Sequence, residues 1–109
     1  MTDHDATAER AATAALKAFR ASYQRAQAAV EAVRAPQQAF DFATELRDMA
    51  DEIVGHAATL RAKMAYRVYT SEEMSLASLA ERISVSKSRA DQFVRTARNA
   101  EKPIEDGSE

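Results

Sequence analysis

From Ala6 to Arg34 the chain contains neither Gly nor Pro, and its apolar side chains recur at a spacing suited to a helix. Ala12, Leu16, Phe19, Tyr23, Ala26, Val30 and Val33 follow one another at intervals that alternate between four and three residues, which is a heptad seam. Ala15, Ala18, Ala28, Ala29 and Ala32 flank it and are small enough to admit a close neighbour. At about 1.5 Å of rise per residue such a helix is roughly 40 Å long. A rod that narrow cannot cover its own seam. The sequence therefore demands a partner helix before anything else about the fold is decided.

Ala35-Pro36 ends this first helix, because a residue that precedes Pro is pushed out of helical backbone. Pro36 can open the next one, where its missing N–H is no loss. A second seam then runs through Ala39, Ala43, Leu46, Ala50, Ile53, Ala57, Leu60 and Met64. The short connection predicts a long antiparallel hairpin of coiled-coil type. Phe40, Phe42, Met49 and Val54 lie beside the second seam, so the apolar stripe is wider than one partner covers. This predicts a homodimer in which two hairpins form a four-helix arrangement, with Leu16, Phe19, Tyr23, Phe40, Leu46, Met49 and Ile53 as its dimerisation residues. The second helix is expected to continue to about Glu73. Tyr66, Val68, Tyr69 and Thr70 have some β preference, but they lack clean alternation and a strand to pair with. Leu60, Met64, Val68 and Tyr69 are expected to supply the first helix of a three-helix C-terminal unit.

Leu76 to Arg98 carries two further short amphipathic helices around a tight turn. Leu76, Leu79, Ala80 and Ile83 share one face, and Ala90, Phe93, Val94 and Ala97 restart the rhythm at a new angle. Ser75 is placed to cap the first of these helices, with Ser78 three residues on. Ser86 is placed to cap the second by accepting from the free amides of Ser88 or Arg89.

These residues resemble the helix-turn-helix of bacterial DNA-binding regulators, of the sigma-factor-like and short regulator type found in high-GC bacteria. Leu79 and Ala80 match the apolar–Ala pair of the first helix, where the Ala lets the second helix cross closely. Ile83, Ser84 and Val85 match the apolar, small and apolar residues of the turn, and Ala90 and Phe93 match the pair that holds the recognition helix down. Ser84 departs from the usual Gly at a place where the backbone tends to need a positive φ. The resemblance covers about a quarter of the chain. It implies that a recognition helix over 87–98 enters the major groove of double-stranded DNA. Ser86, Lys87, Ser88, Asp91 and Gln92 would face the bases, and Arg89, Arg95 and Arg98 would meet phosphates. Arg95 would also lie close enough to the bases to read guanine, Gln92 would pair with adenine, and Lys87 would donate to guanine acceptors.

The formal net charge of −2 fits this reading only when the charges are located. Between Ser75 and Lys102 six basic residues face three acids. Between Pro36 and Met74 four basic residues face seven acids, and the tail from Pro103 adds three more acids. Phosphate attraction depends on the local field, within a Debye length of about 8–10 Å, and that field is basic at the C-terminal end.

Other chemistry finds little support. Without Cys there are no disulfides, zinc fingers or thiol catalysis. Asp41, Glu45, Asp48 and Glu52 form a carboxylate stripe that ends one turn before His56, but it lies opposite the seam and lacks the Glu-x-x-His spacing of a di-metal bundle. It reads as a solvated face that meets a basic partner or repels misplaced DNA. His4 and His56 make no acid–base pair, and no phosphate loop or nucleophile grouping is present. No cofactor, metal or catalytic activity is expected. No apolar run approaches the roughly 20 residues of a membrane span and no signal peptide pattern opens the chain, so a cytoplasmic protein is expected, and the resemblance to DNA-binding regulators implies that it is nucleoid-associated.

The expected organisation is all-α: residues 1–59 as a dimerising hairpin arm, 60–102 as a three-helix DNA-binding unit with the helix-turn-helix at 76–98, and 103–109 as an acidic disordered tail with no room for a wing. The expected function is sequence-specific DNA binding by a small dimeric transcriptional regulator, on a repeated site whose half-site spacing follows from the hairpin. The alternative is a helical adaptor that docks on RNA polymerase or another regulator through the helix-turn-helix or the hairpin.

Overall fold

The computed structural model describes residues 3–101, and the acidic tail at 103–109 lies outside them. These residues form four α-helices: α1 (Asp3–Glu31), α2 (Pro36–Ser71), α3 (Leu76–Arg82) and α4 (Lys87–Glu101). There is no strand among the described residues, so the protein is all-α. They fall into two compact units that divide between Met49 and Ala50, within α2.

The first unit holds α1 and the opening turns of α2. α1 closes with the Ala32 and Val33 amides donating to Ala28, Ala29 and Val30 carbonyls, and the chain turns over four residues to Pro36. The Ala39 amide donates back to the Ala35 carbonyl at 2.9 Å, so Pro36 stands at the first helical position, where no donor is needed. None of the described side chains from 5 to 49 is buried. Leu16 remains 69% exposed, Phe19 55% and Phe40 66%, and Tyr23 and Met49 are also exposed. Of the seam residues in this unit, Ala26, Val30, Val33, Ala39 and Leu46 are half-buried.

The second unit holds the rest of α2 with α3 and α4, and it contains all the buried residues among those described. Leu79, Ala80, Ala90 and Val94 form one cluster, with Tyr66, Val68, Tyr69, Met74, Leu76, Ile83 and Val85 packed around it. Ala62, Ala65 and Phe93 form a second, to which Ile83 and Val85 also contribute. Among the described residues Leu79 is the one large side chain with no exposed surface. The other fully enclosed positions are mostly Ala, which lets helical backbones approach at the expense of apolar area.

The face that α2 presents to this core differs from the sequence expectation. Leu60 and Met64 stay exposed, whereas Ala62, Ala65 and Tyr66 turn inward with Val68 and Tyr69. The reason lies in α4. Phe93 brings a large ring to the contact, and close packing requires small residues opposite it, which Ala62 and Ala65 provide.

The end of α2 also differs, because the helix stops at Ser71 rather than near Glu73. Glu73 adopts a left-handed backbone (φ 49°), and the Met74 amide donates to the Tyr69 carbonyl at 3.4 Å. This is a Schellman ending built without Gly. Across the turn, Arg82 at the end of α3 donates both terminal nitrogens to Glu72. The hydrogen bond, followed by the charge itself, holds the Glu72 carboxyl below its usual range and raises the Arg82 guanidinium.

Candidate nucleic-acid interface

α3 begins where the Ser75 hydroxyl accepts from the Ser78 amide at 3.1 Å. It ends in a second Schellman turn. The Val85 amide donates to the Ala80 carbonyl at 2.9 Å and the Ser84 amide to the Glu81 carbonyl at 3.3 Å, with Ser84 at φ 61°. The position occupied by Ser84 is thus left-handed, the conformation that Gly adopts at least cost. α4 then starts with Ser86 accepting from the Arg89 amide at 3.0 Å. Both serine caps satisfy an amide that would otherwise lack a partner at the helix start.

The two faces of α4 differ in character. Ala90, Phe93, Val94 and Ala97 are buried. Ser86, Lys87, Ser88, Arg89, Gln92, Arg95 and Arg98 are exposed, and Asp91 is half-buried. At 3.6 residues per turn, Ser88, Gln92, Arg95 and Asn99 fall opposite the buried stripe, with Asp91 and Thr96 at its edges. Lys87 and Arg98 lie to one side of that outward strip and Arg89 to the other.

Five arginines of this unit are held in two distinct ways. Arg82 and Arg95 form ion pairs, with Glu72 and Asp91 respectively. Arg61, Arg89 and Arg98 lie over aromatic rings instead. The guanidinium carbons of Arg61 and Arg89 stand 5.0 and 4.8 Å from the centroid of Phe93, and that of Arg98 stands 5.8 Å from Tyr66. Arg89 also donates to the Gln92 amide oxygen at 3.3 Å. Phe93 separates two shallow grooves. One is lined by Ala58, Thr59, Ala62, Arg89, Gln92 and Thr96, the other by Arg61, Met64, Ala65, Val68 and Ile83.

Arg61 did not stand out in the sequence. It lies on α2, far upstream of α4, and its relation to Phe93 depends on how the helices pack. Of the carboxylate stripe, Glu52 approaches His56 at 3.9 Å with both side chains open to solvent. Among the described residues no three His, Asp or Glu side chains gather as metal ligands would. No helix there is long and apolar enough to cross a membrane. No protein-family model, curated protein or solved structure matches the chain.

Proposed function

We propose that this chain is a small dimeric regulator that binds double-stranded DNA sequence-specifically, with α3 and α4 as a helix-turn-helix and α4 as the helix that enters the major groove. One observation carries the reading: α4 is anchored by Ala90, Phe93, Val94 and Ala97, while its opposite face presents Ser88, Gln92 and Arg95 to solvent. A helix held down on one side and polar on the other is the shape that fits a major groove, about 12 Å wide. Gln92 offers an amide for adenine, and Lys87 donates to guanine. Arg89 and Arg98 serve phosphates, as does Arg95 once it leaves Asp91.

The dimer belongs to the same proposal. α1 and the opening turns of α2 form the hairpin arm, and the exposed Leu16, Phe19, Tyr23, Phe40, Met49 and Ile53, with Leu46, meet a second copy. A two-fold pair of readers then requires a repeated DNA site.

The Asp91–Arg95 ion pair favours a second reading, in which α4 docks on a protein such as RNA polymerase, since it neutralises a central cation of the outward face. Selection of bound sequences from a random duplex pool separates the two. Enrichment of a repeated motif supports the regulator, and its loss in the Lys87→Ala, Arg95→Ala double variant with far-UV helicity retained assigns that binding to α4. A pool that emerges unenriched sinks the regulator.

A further inference from the structure

Two arginines from different helices share one aromatic ring, that of Phe93. Neither Arg61 nor Arg89 has a carboxylate within ion-pair distance among the described residues, whereas Arg82 and Arg95 are both neutralised in this way. Stacking on a ring fixes the plane of a guanidinium and leaves its in-plane N–H groups able to meet a further partner, beyond the one that Arg89 already gives to Gln92. Both guanidinium carbons lie within 5.0 Å of one centroid, so they are at most about 10 Å apart. That is about one Debye length at physiological salt, and an anion at either one feels both. Phe93 is itself buried against Ala62 and Ala65, so the ring that aligns the pair is part of the core.

From this geometry we infer that Arg61 of α2 and Arg89 of α4 form a phosphate clamp, set by Phe93, that grips the DNA backbone beside α4. The inference rests on the DNA-binding reading and adds to it a contact from a second helix. The clamp's ligand is the phosphodiester itself, because Arg89 lies to one side of the strip of α4 that meets base edges, and a planar guanidinium matches phosphate oxygens bidentately. Arg61 would thereby fix the angle at which α4 lies in the groove.

Fluorescence anisotropy of the full chain with a labelled duplex from the selected pool, over a salt series, tests this. For Arg61→Ala the affinity is expected to fall about fivefold on every duplex. The slope of log affinity against log salt should become shallower by about 0.9, the loss of one phosphate contact. The ranking of duplexes should not change. Arg61→Lys should keep the slope, because the charge remains, but lose part of the affinity. Ser88→Ala, at an exposed position on the outward strip of α4, serves as the contrast and should alter the ranking with the slope intact. If Arg61→Ala perturbs helicity, Arg61→Gln, which keeps a long polar side chain, carries the same test. Wild-type affinity and slope in the Arg61 variants, on duplexes that the wild type binds, overturn the clamp alone. A wild-type chain that binds no duplex overturns the clamp and the DNA-binding reading together.

Discussion

The guanidinium of Arg82, the last residue of α3, spans both carboxylate oxygens of Glu72, at 3.0 and 2.5 Å. The contact ties the end of α3 to the segment that leaves α2, across a turn that contains no Gly. Because the bonded carboxyl is held below its ordinary range, the contact stabilises the fold above the usual carboxylate titration range. That contribution is lost as pH falls through the lowered value. Both side chains are half open to solvent, so the effect is small. Thermal melts of wild type and Glu72→Gln should differ most at neutral pH, with the variant melting lower, and should converge in acid. A gap that widens towards acid would contradict the linkage.

Ser84 and Glu73 each hold a left-handed backbone that Gly would adopt without a Cβ penalty. For Ser84→Gly, relief of about 1–2 kcal/mol of steric cost outweighs the added freedom of the unfolded chain, about 0.5–1 kcal/mol. The net gain is about 0.5–1 kcal/mol, or about 2–6 °C in Tm for a domain of this size. Ser84→Val should lower Tm, since a β-branched residue is poorly tolerated at this φ. Calorimetry of the two variants reads both signs.

Gly55 presents the reverse case. It lies inside α2, and a Cβ built there meets no atom within 4 Å. Gly55→Ala should therefore stabilise the helix by about 0.8–1 kcal/mol through propensity alone. A rise in Tm of a few degrees is the expected result. A fall would mean that a partner comes close to α2 at this point.

What the sequence disclosed was mostly local. The break at Pro36 and the caps at Ser75 and Ser86 depend on relations three or four residues apart, and those are visible in a string of letters. The buried stripe of α4 was visible for the same reason, since Ala90, Phe93, Val94 and Ala97 share one face whatever they pack against. The inward face of α2 was not. Leu60 and Met64 continue the heptad seam, yet the helix turns Ala62 and Ala65 to the core because the ring of Phe93 needs the space. The end of α2 was missed because Glu73 does the work of a terminal Gly, which composition does not signal. Arg61 was missed because its neighbours are on another helix.

Asp91 opposes DNA binding in the proposed arrangement. It pairs with Arg95 on the outward side of α4, so a phosphate must displace it, and its own charge repels the backbone. Asp91→Asn frees the guanidinium and removes the repulsion. An exposed ion pair of this kind is worth roughly 0.5–1 kcal/mol, so affinity should tighten about two- to fivefold at low salt. The gain should shrink as salt rises. Anisotropy titrations at two ionic strengths measure it. Loss of affinity confined to duplexes with one particular base would instead assign Asp91 to base readout, where it accepts from cytosine.

The exposed seam of α1 gives the firmest test of the dimer. Leu16 and Phe19 lie one heptad step apart with more than half of each side chain in solvent. A helix with so little buried surface draws its stability from whatever covers it. Burying either side chain against a second copy is worth about 1.5–3 kcal/mol. Leu16→Glu with Phe19→Glu removes that twice in each chain and places charges in its stead. The dissociation constant of the dimer should rise by at least about 10⁴-fold, and light scattering at micromolar concentration should report a monomer in place of a dimer. Helical signal should fall with it, because α1 loses its cover while Leu79 and the core around it remain. Affinity for one half-site should persist in this variant, and the preference for a repeated site should vanish. A wild-type chain that is already monomeric at that concentration would remove the second copy from the seam and leave it to a different protein.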